Sequence, residues 1–148
     1  MKQVQTRVTT PRSPQEVYAY LVDFGNQREW RFDVLDSELI SGEAGVPGAR
    51  YRQRVKPARK EAMSEVELTE AEPHRSVGFR TVDDGPVTVS GVWRIEPEGD
   101  GARVDAQIAI QPHGFLKLFE PMMGPSLGKT AARYEIALAD CLGGKPGK

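Results

Sequence analysis

Short segments in which apolar and polar residues alternate fill the chain from Asp33 to Gln111, and they restrict the fold more than any other feature. Alternation with a period of two is typical of a β-strand that buries one face. Turn-forming residues interrupt the pattern at 42–48, 57–60, 73–74, 84–86 and 97–100, which predicts six strands. The segment containing Val4, Thr6 and Val8 alternates in the same way and ends at Pro11. The sequence therefore favours a sheet of seven antiparallel strands.

Opposite charges predict how neighbouring strands of this sheet align. Pairing Tyr51 with Val66 places Arg52 opposite Glu65. On the other side, pairing Tyr51 with Leu39 of the preceding strand places Arg52 opposite Glu38. A shift of one residue would turn these charges towards the apolar face, so the register is strongly specified.

The last two strands of the series are expected to pair through their apolar residues. A pairing of Ile95 with Ala102 aligns Trp93 with Val104 and keeps both apolar sets on one face. The turn between them is expected over 97–100.

After Pro112 the apolar residues change to a helical repeat formed by Leu127, Ala131, Tyr134, Leu138 and either Cys141 or Leu142. This predicts a helix from about Ser126 to Leu142 and a disordered tail over 143–148. Ser13 to Glu16 is typical of a helix start, and two short helices are expected between the first two strands. A sheet and a helix with one apolar face each must cover each other, which predicts an α+β fold in which the sheet wraps around the last helix.

The charge and cysteine content narrow the possible partners and location. Lysine and arginine number 20 against 21 acidic residues, so there is no electrostatic reason to expect nucleic acid. Cys141 is the only cysteine and cannot form an internal disulfide. The first residues lack an apolar signal region, and no apolar run is long enough to span a bilayer. We expect a cytoplasmic protein without an integral membrane segment, compatible with a monomer or a homodimer.

Several segments carry a likeness to a known family: 14–24, the Trp30 that follows, the loop from Gly42 to Gly48, Glu72-Pro73, and 91–95. With the predicted order of elements, the chain resembles the START-like or SRPBCC superfamily, and within it the polyketide cyclase/dehydrase branch. The resemblance covers about residues 2 to 142 and implies a single START-like domain over 1–142 with a helix-grip fold. It also implies a cavity for an apolar ligand, such as a lipid, a polyketide or a quinone-like molecule.

The residues on the inner face also favour a ligand cavity. Ala131 and Gly128 are small residues on the contact side of the last helix, and methionines and aromatic residues form adaptable apolar walls. For each residue taken singly, packing in the core is the competing interpretation. The candidate ligand-binding residues are Trp30, Tyr51, Gln53, Val66, Phe79, Val89, Gly91, Trp93, Ile108, Phe115, Met122, Met123, Leu127, Ala131 and Tyr134.

Two other functions remain open from the sequence. A polyketide cyclase or dehydratase would use Tyr51, Tyr134 and His113 as catalytic groups that polarise a carbonyl or move a proton. Related cyclases commonly have an arginine in the pocket, whereas here only Arg31 and Arg133 are candidates for such a position. A protein-interaction module would instead use the exposed face of the sheet.

Metal and nucleotide chemistry have little support in the sequence. His74 and His113 do not form a zinc-binding spacing with the single cysteine. The stretch from Met123 to Thr130 ends like a phosphate-binding loop, but the 18 residues after Thr130 leave no room for the parallel sheet that such a loop needs. We therefore expect neither a metal ion nor a cofactor.

Overall fold

The computed structural model describes residues 2–31, 33–56, 61–82, 87–113 and 124–146, with the backbone alone for residue 2 and residues 124–128. The strands are β1 (Lys2–Thr10), β2 (Val34–Ser41), β3 (Arg50–Val55), β4 (Ala62–Glu72), β5 (Ser76–Thr81), β6 (Val87–Glu98), β7 (Gly101–Pro112) and β8 (Lys145–Pro146). The helices are α1 (Pro14–Val22), a 3₁₀ turn (Phe24–Asn26), α2 (Gln27–Trp30) and α3 (Gly124–Cys141). Among the described residues, none of the helices has the length and apolar character to cross a membrane.

The strands form one antiparallel sheet in the order β2-β3-β4-β5-β6-β7-β1-β8. The short helices and α3 lie on its inner face, which confirms the expected helix-grip arrangement. Helix α1 begins as the sequence predicts, because the Ser13 hydroxyl accepts a hydrogen bond from the Glu16 N–H at 3.2 Å. Trp30, at the end of α2, is buried.

The register predicted from charge is confirmed in the first half of the sheet. Tyr51 pairs with Leu39 and Val66, and Arg52 lies opposite Glu38 and Glu65. The inner face of β3 is buried at Tyr51 while Arg52 is exposed, as the alternation requires.

The predicted register between β6 and β7 is wrong by two residues. Ile95 pairs with Val104 instead of Ala102, and Trp93 pairs with Ala106. The pairing continues as far as Glu98 and Gly101, so the turn consists of two residues and includes Gly99 in a left-handed conformation with φ of 57°. A shift of two residues preserves the buried face, which is why the apolar pattern did not exclude it.

Hydrogen bonds connect the end of α3 to the end of β1 and the residues that follow it. The Thr10 hydroxyl donates to the Leu142 carbonyl at 2.6 Å, and the Arg12 Nε donates to the same oxygen at 3.2 Å. These two donors satisfy a carbonyl that the helix end leaves without an internal partner.

The structure differs from the expected disordered tail and from the expected seven strands. Lys145 and Pro146 form the short eighth strand β8, which pairs with Val8 and Thr9 of β1. Further along β1, the Arg7 N–H donates to the Glu135 carboxylate of α3 at 2.9 Å. Both contacts satisfy polar groups along the edge of β1 that faces away from β7.

The opposite edge of the sheet is β2, and its pairing with β3 is irregular. The register shifts between Val34 and Asp36 and again between Leu39 and Ser41. Such bulges bend a strand and break the regular row of backbone donors and acceptors.

Candidate functional site

A cavity of about 320 Å³ lies between α3 and the half of the sheet formed by β1, β6 and β7. Ala131, Tyr134 and Leu138 line it from the helix, and the segment that follows α2 contributes Arg31 and Asp33 to the lining. The exposed lining is mostly apolar. This is the position that the sequence predicted for a ligand site.

Aromatic side chains that pack on one another form one wall of the cavity. The rings of Trp30 and Trp93 pack edge to face with centroids 5.7 Å apart, and Trp30 packs in the same manner on Tyr134 at 6.2 Å. Phe79 stacks on Trp93 at 5.0 Å and supports it from the neighbouring strand. The wall therefore consists of rings that hold one another in place.

The structure brings six of the predicted ligand-binding residues together in the cavity lining: Trp30, Val89, Trp93, Ile108, Ala131 and Tyr134. It also includes Arg31, which the sequence analysis named as a candidate pocket arginine. It adds residues that the prediction omitted, namely Val4, Thr6, Asp33, Val87, Ala106, Ile110, Thr130, Glu135 and Leu138. Val4 and Thr6 share a face of β1, and Val87 and Ile110 continue the alternation of β6 and β7, so the strand pattern already contained a signal for these four.

Four other predicted residues, Tyr51, Gln53, Val66 and Phe79, are buried but do not belong to this lining. Tyr51 packs against Phe24 of the 3₁₀ turn with ring centroids 5.3 Å apart. The inner face of the sheet is thus covered by several elements: α3 over β1, the 3₁₀ turn and α2 over β2, and α1 over β5, β6 and β7. Alternation identifies the inner face, but it does not identify the element that covers it.

Gly91 has a packing role instead of the predicted ligand contact. A Cβ atom at this position would lie 2.5 Å from the Ile108 Cδ1 and 3.0 Å from the Phe79 Cε1. The absence of a side chain allows both neighbours to lie close to the backbone of β6.

The remaining predicted site residues lie elsewhere. His113 is exposed, and its Nε2 lies 2.6 Å from the Thr88 hydroxyl. It does not belong to the described residues that line the cavity. Phe115, Met122 and Met123 lie outside the described residues, as does the side chain of Leu127.

Arg31, Asp33 and Tyr134 form a polar cluster that we call the polar end of the cavity. The other polar residues of the described lining are Thr6, Thr130 and Glu135. The Tyr134 hydroxyl donates to the Asp33 Oδ1 at 2.7 Å, and the Arg31 Nη2 lies 3.8 Å from the Asp33 Oδ2. The Arg31 Cζ is 5.6 Å from the centroid of the Tyr134 ring, a cation–π contact. Arg31 thus has the pocket position that the strand arginines lack.

The environment keeps both inner tyrosines protonated. Burial raises the pKa of Tyr134 to about 12; the positive charge of Arg31 lowers it in part, and Asp33 raises it further. Burial also raises the pKa of Tyr51, with a further contribution from the charge of Asp23. The Tyr51 hydroxyl approaches the backbone of Phe24 but makes no hydrogen bond of normal geometry within the described residues. Only Tyr134 of these two can therefore meet a ligand in the cavity.

A curved antiparallel sheet that holds a long terminal helix over an apolar cavity defines the class of START-like, helix-grip proteins. The chain belongs to the polyketide cyclase/dehydrase and lipid transport family, whose model matches residues 1–139. No functionally curated protein matches the sequence significantly.

Solved structures with the same fold span nearly the whole chain. A protein from Thermus thermophilus has a TM-score of 0.76 at 18% identity, covering 94% of this chain and 95% of that one. A START superfamily protein from Mycobacterium smegmatis has a TM-score of 0.74 at 12% identity, covering 95% and 97%. The Zhui aromatase/cyclase from a Streptomyces species has a TM-score of 0.70 at 16% identity, covering 95% and 90%. At these identities the likeness shows the fold alone.

Proposed function

We propose that the protein binds a small apolar ligand, of lipid, polyketide or quinone-like character, in the cavity between the sheet and α3, and acts as a cytoplasmic carrier or sensor. The cavity itself carries the proposal: its walls are two tryptophans and a set of aliphatic side chains. Apolar walls with a few polar groups at one place are typical of small-molecule sites.

The size of the cavity favours a compact ligand. Its volume of about 320 Å³ is near the lower end of the range of roughly 300–1,000 Å³ found for ligand pockets. A molecule with a few fused or linked rings would fill this space and contact the faces of Trp30 and Trp93.

Replacing Ala131 with tryptophan is expected to abolish ligand uptake. Ala131 is nearly buried in the cavity wall, so an indole at this position would occupy the space that the ligand needs. Binding is measured by fluorescence with N-phenyl-1-naphthylamine, a neutral apolar dye. Native mass spectrometry of the protein purified from its own host would identify a molecule that co-purifies.

The matched control is Ala132→Trp, which adds the same side chain at the next, exposed position of α3. This variant should bind the dye as the parent protein does. Full uptake by Ala131→Trp, with a normal unfolding transition, would place the ligand elsewhere and reject the proposal.

The polar end of the cavity favours a cyclase or dehydratase as a second candidate. The Tyr134 proton is directed to Asp33, so in this arrangement Asp33 is the group that would accept a proton from a β-keto substrate. Arg31 would then stabilise the developing enolate oxygen. Tyr134 acts by holding the Asp33 carboxylate in place.

If the protein is such an enzyme, Asp33→Asn should lower turnover of a poly-β-keto thioester by about 100-fold, the contribution of one acid–base group. Tyr134→Phe should give a smaller loss, and both variants should retain affinity for the neutral dye. Product formation is measured by chromatography. Absence of turnover by the parent protein, or full turnover by Asp33→Asn, would exclude this candidate.

The interaction-module alternative gains no specific support. Ion pairs neutralise the charged outer face, as in Arg50–Glu67 at 3.4 Å and Arg54–Glu61 at 3.1 Å.

A further inference from the structure

Two glutamines form a buried layer behind Arg31. The Arg31 Nη1 donates to the Gln27 Oε1 at 3.0 Å and approaches the Gln53 Oε1 at 3.4 Å. The Gln53 Nε2 donates to the same Gln27 oxygen at 2.8 Å and to the Ser37 hydroxyl at 3.2 Å. Gln27 is 1% exposed and Gln53 is 2% exposed, which is rare for amides.

The orientation of the Gln27 amide follows from its neighbours. Its oxygen receives two donors, so its nitrogen must point the other way, and there it has no hydrogen-bond partner in the described part of the chain. A buried donor without a partner costs about 1–3 kcal/mol. An apolar side chain would avoid this cost, so the amide contributes something other than stability.

The two amides accept hydrogen bonds from Arg31 without adding a negative charge. A glutamate at either position would neutralise Arg31, whereas a methionine would leave its Nη1 hydrogens without acceptors. With two amides behind it, the Arg31 guanidinium has the Asp33 carboxylate beside it. The Arg31 Nη2 lies 3.8 Å from the Asp33 Oδ2, which is longer than a hydrogen bond. Asp33 also accepts the Tyr134 proton, and Glu135, the other carboxylate of the described cavity lining, accepts a hydrogen bond from the Arg7 N–H.

We infer that Gln27 and Gln53 are positioning residues that present Arg31 to the cavity as a cation, and that the ligand is an apolar molecule with one anionic oxygen group. A carboxylate, an enolate or a phenolate has this chemistry. The inference rests on the proposed ligand-binding function and specifies which ligands the cavity prefers.

Two dyes with the same aromatic framework test this preference. N-phenyl-1-naphthylamine is neutral, and 1-anilinonaphthalene-8-sulfonate adds one anionic group. The ratio of their dissociation constants measures the contribution of the charge and cancels the contribution of the apolar walls. We expect the parent protein to favour the anionic dye.

Gln53→Glu should weaken binding of the anionic dye by about tenfold, because it places a carboxylate beside Arg31, and should leave the neutral dye unaffected. Asp33→Asn should shift the ratio in the opposite direction, since it removes the counter-charge of Arg31. The matched control is Gln107→Glu, which adds the same charge at an exposed position of β7.

The inference is overturned if Gln53→Glu and Asp33→Asn both leave the ratio of the parent protein unchanged. Asp33→Asn keeps the test decisive if Gln53→Glu does not fold. Failure of the proposed function looks different. Neither dye would then bind the parent protein, or both would bind the Ala131→Trp variant as well as they bind the parent. Binding of the neutral dye with an unchanged ratio would reject the anionic preference alone.

Discussion

Replacing Trp93 with alanine is expected to destabilise the protein by about 3–5 kcal/mol, the range found for buried aromatic residues. The Trp93 side chain is 4% exposed and contacts the rings of Phe24, Trp30 and Phe79. Its removal leaves a large void between the short helices and the sheet. It also withdraws the support that Trp30 receives at the cavity wall.

Denaturant unfolding followed by far-UV circular dichroism measures this loss. Val92→Ala is the control, because Val92 is the preceding residue of the same strand, points to the other face and is only half-buried. We expect the control to lose about 1 kcal/mol or less. A similar loss for both variants would contradict the central place of Trp93 in the core.

Gly101→Ala is expected to have an effect of comparable size for a different reason. A Cβ atom at Gly101 would lie 1.9 Å from the Thr10 carbonyl oxygen and 2.8 Å from the Pro11 Cα. Both contacts are with backbone, which cannot rotate away as a side chain can. We therefore expect β7 and the end of β1 to separate, at a cost of about 3 kcal/mol or more.

The shift in midpoint of thermal unfolding, relative to Asp100→Ala at the adjacent exposed position, measures this effect. Hydrogen exchange at Thr10 and the residues near it should accelerate in Gly101→Ala, since the clash lies there. A stability equal to that of the control would show that the turn accommodates a methyl group.

Local patterns in the sequence predicted which face of each strand is buried better than they predicted which residues pair with it or pack on it. Arg52 could be placed opposite Glu65 because a wrong register would set like charges or buried charges against each other. The register of Ile95 was misassigned by two residues because it was set from the apolar residues alone, although the same charge rule would have aligned Glu96 with Arg103. Tyr51 and Trp93 have the same alternation, although only Trp93 meets the cavity.

The polar end of the cavity could not be predicted by periodicity. Arg31 and Asp33 lie between α2 and β2, where no repeat applies, and Gln53 reaches them from β3. Their meeting depends on how the short helices fold back onto the sheet, a tertiary arrangement that leaves little trace in spacing. The proximity of Gln27 to Arg31, four residues apart at α2, was the local signal available.

The two ends of the sheet are arranged so that a second molecule cannot easily extend it. The bulges of β2 interrupt the straight row of backbone groups that an incoming strand would need. At the other end, β8 already pairs with Thr9, and the Glu135 carboxylate accepts a hydrogen bond from the Arg7 N–H. Both edges thus disfavour the pairing of strands between molecules by which sheet proteins form ordered aggregates.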